Sequence, residues 1–308
     1  MRVVLGFPMQ DAQTGVYIKE AFEELGHEVV GIHDTRGTAG AGEIISLVDD
    51  FRPDLVLIAK DRRYNFVMQI VSKLATTAMW NFDARYNIGD FLRTCGSLYT
   101  DCHLKFTIEK GSIPLYMQTG ISNIHWLSEG ASPIWHNKTP YTQEDIDRYD
   151  ADVSFAGTCY GIHEGRTELL EALSQSQFKY KRWTEVFNLE HNKMVQISKI
   201  NIGHSGWPRV ELSMSARDYR IMAAGGFLLT NYVDGMENWF EIGKMCDVYH
   251  SPQECLEKIE YYLSHPGERT AIASYGYKVV HEKHKFSDRI KTMLEVVNSY
   301  KLAKNGNI

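Results

Sequence analysis

The sequence predicts an α/β protein built from two Rossmann-like domains in tandem, facing each other across a cleft. Three observations carry that prediction. The chain has 308 residues, about twice a working domain length of roughly 150. Short, near-continuous apolar runs alternate with segments of helical period, as in parallel strands buried on both faces and joined by crossover helices. The alternation occurs twice, on either side of a polar stretch at 136–152 (HNKTPYTQEDIDRYDAD) that contains Pro140 and lacks an apolar period. The expected domains are residues 1–145 and 146–308.

In the first half, Val3 to Phe7, Val29 to Ile32 and Leu55 to Ala59 read as strands, with helices over Val16–Leu25 and Ile44–Val48 between them. Further strands follow at Thr77–Phe82, Lys105–Ile108 and Ile124–Leu127. The second half opens with the strand and turn Val153–Gly157, a helix over Glu168–Leu173 and strands at Trp183–Phe187 and Ile197–Ile202. Arg217–Ala224 has helical period and is stopped by Gly225-Gly226, which lead into the strand Phe227–Thr230. Ser251-Pro252-Gln253-Glu254 is a capping box with proline at the first helical position, opening a helix through Leu263, and Pro266 starts another. The last helix is expected to be capped by Ser287, with Ile290, Met293, Leu294, Val297 and Tyr300 along one face. This closing helix is a candidate to pack back on the first domain.

Lys+Arg at 33 against Asp+Glu at 39 gives 33 − 39 = −6. An acidic chain is a poor electrostatic binder of nucleic acid or anionic membranes, because such binding rests on Lys and Arg displacing counterions. The only compact basic and aromatic patch is Lys179-Tyr180-Lys181-Arg182-Trp183, which reads as a solvated helix end. No apolar run is long enough to span a membrane and no export signal opens the chain, so the sequence reads as cytoplasmic. The five cysteines, at 95, 102, 159, 246 and 255, contain no C-x-x-C pair, which argues for reduced, mostly buried thiols.

Several chemistries are excluded or disfavoured by spacing. The first strand-to-helix turn is Gly6-Phe7-Pro8-Met9-Gln10, without the G-x-G-x-x-G of a dinucleotide site. Gly37, Gly40 and Gly42 follow the second strand and read as a flexible loop. There is no P-loop and no nucleophile elbow. His281-Glu282-Lys283-His284 is one residue short of a zinc-protease motif and reads as solvated. Asp145-Ile146-Asp147 and Asp150-Ala151-Asp152 lie in or beside the linker and read as solvated charge, so no metal is expected.

The informative stretch is SMSARDYRIMAAGGFLLTN at 213–231, followed by DGME at 234–237. It is a polar loop, a short helix, a glycine pair, a buried strand and a second turn carrying an acid. Ligands in open α/β sheets bind at the carboxyl ends of strands. Free N–H groups at the helix start, with Ser215 and Arg217 beside them, suit a diphosphate. Glu237 is able to accept hydrogen bonds from sugar or ribose hydroxyls.

Residues 213–290, with ARDYRIMAAGGFLLTN, DGMENWFE, YHSP and YYLSHPGERTAIASYG, resemble the carboxyl-terminal half of the spore maturation protein CgeB-like glycosyltransferases. The wider resemblance is to sugar transferases of the GT-B fold. Thinner matches are Trp80-Asn81-Phe82-Asp83, Trp126-Leu127-Ser128-Glu129-Gly130, Phe155-Ala156-Gly157 and Ser198 to Ile202. The resemblance implies a metal-independent transferase without a resident cofactor, its co-substrate a nucleotide-sugar, UDP-sugar foremost. The second domain would hold the donor, and the first an acceptor that is a glycan, protein, small molecule or modified base. Carried over by position, Gly157, Lys199, Asn201, Ser215, Arg217, Gly225, Gly226 and Glu237 become donor-side candidates. Where related transferases carry a ribose-binding glutamate, this chain has Arg220, a further donor-side position whose charge is reversed.

Glycosyl transfer places negative charge on the leaving diphosphate, which fixed cations and backbone dipoles stabilise. Arg217 and Lys199 are the candidates for that role. An inverting reaction also needs a base for the acceptor hydroxyl, and Asp83 at a strand end is the best placed. Asp11, Gln13, Glu129 and Gly130 are acceptor-side candidates, while Gly15 at a helix start is positioned to approach the donor diphosphate. Two alternatives share the fold: a catalytically idle nucleotide-sugar-binding or structural protein, and a transferase acting on a modified nucleic-acid base.

Overall fold

The computed structural model describes residues 1–10, 13–32, 41–83, 96–159 and 163–305, without the side chains of Arg62 and Asn305. Two compact units divide the chain, Met1–Ser128 with Phe286–Ile308, and Glu129–Lys285. The polar stretch at 136–152 thus lies inside the second unit.

In the first unit, strands β1 (Arg2–Gly6), β2 (Glu28–Gly31), β3 (Leu55–Ala59), β4 (Thr76–Asn81), β5 (Leu104–Thr107) and β6 (Ile124–Trp126) form one parallel sheet. Its order is β2-β1-β3-β4-β5-β6. Helices α1 (Thr14–Glu24), α2 (Ala41–Phe51), α3 (Val67–Leu74) and α4 (Ile113–Gln118) belong to it. Val4, Val56, Ile58 and Met79 meet Ile44 and Val48 of α2 and Met68 and Val71 of α3 in one core, and Val3, Leu5, Leu55 and Leu57 on the other face are fully buried too, as the continuous apolar strands required. The last helix, Phe286–Asn305, returns to this unit. It buries Phe286, Ile290, Met293 and Val297, and Phe286 meets the rings of Tyr17 and Trp80 at centroid distances of 5.9 and 6.2 Å. The expected apolar face is therefore the buried one, although the helix opens at Phe286 and takes Ser287 into its first turn.

The second unit carries a five-stranded parallel sheet in the order β11-β10-β9-β7-β8. Its strands are β7 (Val153–Ala156), β8 (Tyr180–Trp183), β9 (Ile200–Ile202), β10 (Leu228–Asn231) and β11 (Asp247–Tyr249). Its helices are α5 (Gln143–Tyr149), α6 (Arg166–Gln175), α7 (Asn188–Ile197), α8 (Ala216–Ala223), α9 (Pro252–Ser264) and α10 (Pro266–Lys283). Four expectations shift here. The strand placed at Trp183–Phe187 ends at Trp183, and Ile197 closes α7 instead of opening β9. Asp145 is no idle linker charge: Thr142 and Asp145 form the reciprocal cap of α5, the Thr142 backbone N–H donating to Asp145 Oδ2 at 2.8 Å. His284 is not solvated but buried among Tyr219, Trp239 and Phe240, while a His281 ring nitrogen donates to the Ala223 carbonyl at 3.0 Å.

Cys102, Cys246 and Cys255 are buried thiols and Cys159 is half-buried; Cys95, Gly37 and Gly40 lie outside the described residues, and Gly42 is in α2. Among the described residues no helix is long and apolar enough to cross a membrane, and no three His, Cys, Asp or Glu side chains gather as metal ligands would.

Candidate functional site

Renumbered from its own first strand, the second sheet has the order 2-1-3-4-5, which reverses direction between β7 and β9. Ligands of doubly wound sheets sit at such a reversal, outside the carboxyl ends of the strands. At this edge stand Gly157 after β7, Gly203 to Ser205 after β9 and the amino termini of α6 and α8. Register fixes the assignment of edges: Val153 pairs with Ile200 and Leu228 with Asn201, so Asp152, Lys199 and Phe227 share the opposite, amino edge.

Two arginines converge at the carboxyl edge. Arg217, in the first turn of α8, donates from Nε to the Ala156 carbonyl at 2.6 Å and from Nη1 to the His204 carbonyl at 3.1 Å. Its guanidinium lies 4.7 Å over the Phe155 ring. Arg166, the first residue of α6, donates from Nη2 to the same His204 carbonyl at 2.9 Å and from Nη1 to the Thr158 carbonyl at 3.1 Å. It is 5% exposed, and its Nε is buried without a hydrogen bond. Among the described residues neither guanidinium is in an ion pair. Burial and the neighbouring Arg217 lower Arg166 to about 10, still charged at neutral pH. Two desolvated cations on one carbonyl oxygen are costly unless an anion joins them.

Glycine makes the arrangement possible. Gly157 has φ +154°, and a Cβ there would stand 2.4 Å from Arg217 Nη2. The surrounding loops are locked by short polar bonds: the Asn231 side chain receives the Ser205 N–H at 2.7 Å and donates to its carbonyl at 3.0 Å. The Ser205 hydroxyl receives the Ser215 N–H at 3.0 Å. Ser215 is the N-cap of α8 and accepts from the Arg217 N–H at 3.3 Å. Beneath them Asp218 is fully buried, accepts from the Thr230 hydroxyl at 3.2 Å and is pushed up to about 6 by burial, against the pull of Arg217. Glu237, exposed on the turn after β10, accepts from the Tyr232 hydroxyl at 2.7 Å, which holds its carboxyl below the usual range.

Of the donor-side residues expected from sequence, Gly157, Ser215, Arg217 and Glu237 stand on loops and helix starts at the carboxyl edge of this unit. Lys199 does not: it is exposed at the amino edge, with Nζ 2.7 Å from Asp152. Asn201 is buried inside β9, where it accepts from the Ser154 hydroxyl and donates to the Val195 carbonyl. Gly225 and Gly226 lead into the amino end of β10, and their missing side chains make room for Lys138 and Val195. Arg220, in the last turn of α8, is half-buried beside His136 and His191, whose imidazoles it helps to hold down. Arg166 and His204 were not expected from the sequence. A Gly165-Arg166 pair opening the first crossover helix was the available signal, missed because the helix was expected to start at Glu168.

In the first unit, Asp83 follows β4 and forms an ion pair with Lys60, which follows β3, at the carboxyl edge of that sheet. Gln13 is the exposed N-cap residue of α1. Gly15 is buried, and a Cβ there would come within 2.2 Å of the Pro8 carbonyl, so tight packing explains the glycine. Glu129 and Gly130 are buried at the start of the second unit, and Asp11 lies outside the described residues. The basic patch is committed to its own unit: Lys179 pairs with Asp150, Lys181 donates to the Arg148 carbonyl and Arg182 to the Gly157 carbonyl.

Residues 145–295 match the family model described as glycosyl transferase-like. No curated protein matches the chain in sequence. Among solved structures, the chain is similar to HepE of Anabaena in complex with UDP and glucose, at 11% identity and a TM-score of 0.69, covering 97% of this chain and 100% of that one. Sucrose-phosphate synthase of Thermosynechococcus elongatus is 9% identical at a TM-score of 0.71, covering 98% and 100%. An alpha-glucosyltransferase in complex with UDP-glucose and DNA containing an abasic site is 9% identical at 0.71, covering 97% and 99%. Residues 145–295 thus match a glycosyl transferase-like family model, in a chain whose two parallel-sheet Rossmann-like units have the GT-B fold.

Proposed function

We propose that the protein is a glycosyltransferase of the CgeB-like group that takes its sugar from a nucleoside diphosphate donor, a UDP-sugar foremost, without a metal ion. The observation that carries this reading is the pair of guanidinium groups of Arg166 and Arg217 on the His204 carbonyl, at the sheet reversal where α/β ligands bind. Breaking the anomeric C–O bond sends its electron pair to the outer phosphate oxygen. Fixed cations and helix amino termini stabilise that charge without reorganisation. Gly157 makes room for the Arg217 guanidinium, Ser215 caps the helix start beside it, and Glu237 is the acceptor for hydroxyls of the donor.

Asp83 takes the acceptor proton in this reading. Transfer to a nucleic-acid base has less support, because the cations of 179–182 are bound to carboxylates and carbonyls of their own unit. Incubation with a panel of UDP-, GDP- and TDP-sugars tests the reading. Slow release of nucleoside diphosphate is expected, fastest with a UDP-sugar; no release and no binding across the panel would contradict it.

A further inference from the structure

We infer that His204 is a positioning residue whose ring fixes the carbonyl on which both arginines converge, so that the anion affinity of the site depends on a side chain that does not touch the ligand. The inference rests on the diphosphate site proposed above. His204 is 3% exposed and lies two residues past the end of β9. Its Nε2 lies 2.8 Å from the Glu164 carbonyl; a carbonyl only accepts, so Nε2 carries the proton. Nδ1 is then an acceptor, 3.1 Å from the Tyr249 hydroxyl of β11, whose single proton is shared between Nδ1 and the Gly203 carbonyl at 2.9 Å. One end of the ring is thereby tied to the loop before α6 and the other to the far strand of the sheet.

The consequence falls on the backbone. With the ring held at both ends, the His204 carbonyl has a single orientation, and both of its lone pairs are filled, by Arg166 Nη2 and Arg217 Nη1. The remaining bonds of these guanidinium groups go to the carbonyls of Ala156, at the end of β7, and Thr158, on the loop after it. Without the ring, the carbonyl swings and the two forks lose their common anchor, although both charges remain. Burial, then the nearby Arg166 and Arg217, push the imidazole down to about 4, so it stays neutral at working pH.

The test uses the full chain and two probes, inorganic pyrophosphate and UDP, with UMP as the single-phosphate control, titrated by calorimetry. His204→Ala should weaken pyrophosphate and UDP binding by about tenfold or more, the size of one or two charge-assisted hydrogen bonds, and UMP much less. The UMP to UDP ratio of dissociation constants therefore falls. His204→Gln keeps a donor for the Glu164 carbonyl and should restore most of that ratio. Tyr249→Phe, which removes the hydroxyl shared by Nδ1 and the Gly203 carbonyl, should lower the ratio partway and serves where His204→Ala does not fold. A folded His204→Ala or Tyr249→Phe protein with the wild-type ratio would overturn the inference. Wild-type protein that binds pyrophosphate but not UDP would overturn the nucleotide reading alone; binding of neither would overturn both.

Discussion

Arg217→Ala is expected to lower the rate of donor turnover by about 100-fold or more, the loss seen when a preorganised group facing developing charge is removed. Three contacts would go at once: the bond to Ala156, the bond to His204 and the stacking on Phe155. Arg217→Lys keeps a cation but lacks the planar fork, so it cannot hold two carbonyls and a phosphate together; its activity should lie between the two. Arg166→Gln should cost a similar factor. Because both side chains share one carbonyl, the double variant should lose less than the product of the single losses. Release of UDP from a UDP-sugar, followed by coupled assay, measures all four proteins. Wild-type rates in Arg217→Ala would refute the assignment.

The second large effect is acid lability. Burial, then Arg220 and Arg217, push the His191 imidazole down to about 3, and His204 stands at about 4. Both favour the neutral form in the folded chain. The stability they contribute is complete above the ordinary value of 6.5 and is lost as pH falls toward 4 and 3. At 1.36 kcal/mol per unit the two together amount to several kcal/mol, against a typical total of about 5–15 kcal/mol. Asp218 acts in the opposite sense. Its value, raised from 3.8 to about 6, gives a contribution present below 3.8 and lost as pH rises through 6. It is the smaller term, so the urea midpoint should fall steadily from pH 7 to 4.5, and His204→Gln should flatten the slope. A midpoint independent of pH over that range would contradict the burial argument.

What the sequence made legible follows the length scale of each feature. Buried strands such as Leu55–Ala59 announce themselves as apolar runs, and Ser215 and Arg217 are legible because a cap and its helix are local. Edge strand β8, Tyr180–Trp183, is interleaved with Lys181 and Arg182 and has no such run. Helix α7, NLEHNKMVQI, is polar enough to hide its period. Three-residue β11 is too short to show one. Lys199 was misplaced for a different reason: a residue before a strand lies at the amino edge, and only the parallel direction of every strand makes that edge the wrong one. Arg166 and His204 are 38 positions apart, and no local pattern marks two guanidinium groups meeting on a backbone oxygen.

A crystal structure of the protein with UDP bound tests the central claim most directly. The outer phosphate should lie beside Gly157, with oxygens at about 3 Å from the guanidinium nitrogens of Arg166 and Arg217, and the buried Nε of Arg166 close enough to share that anion. A nucleotide bound elsewhere, with both guanidinium groups still facing only carbonyl oxygens, would contradict it.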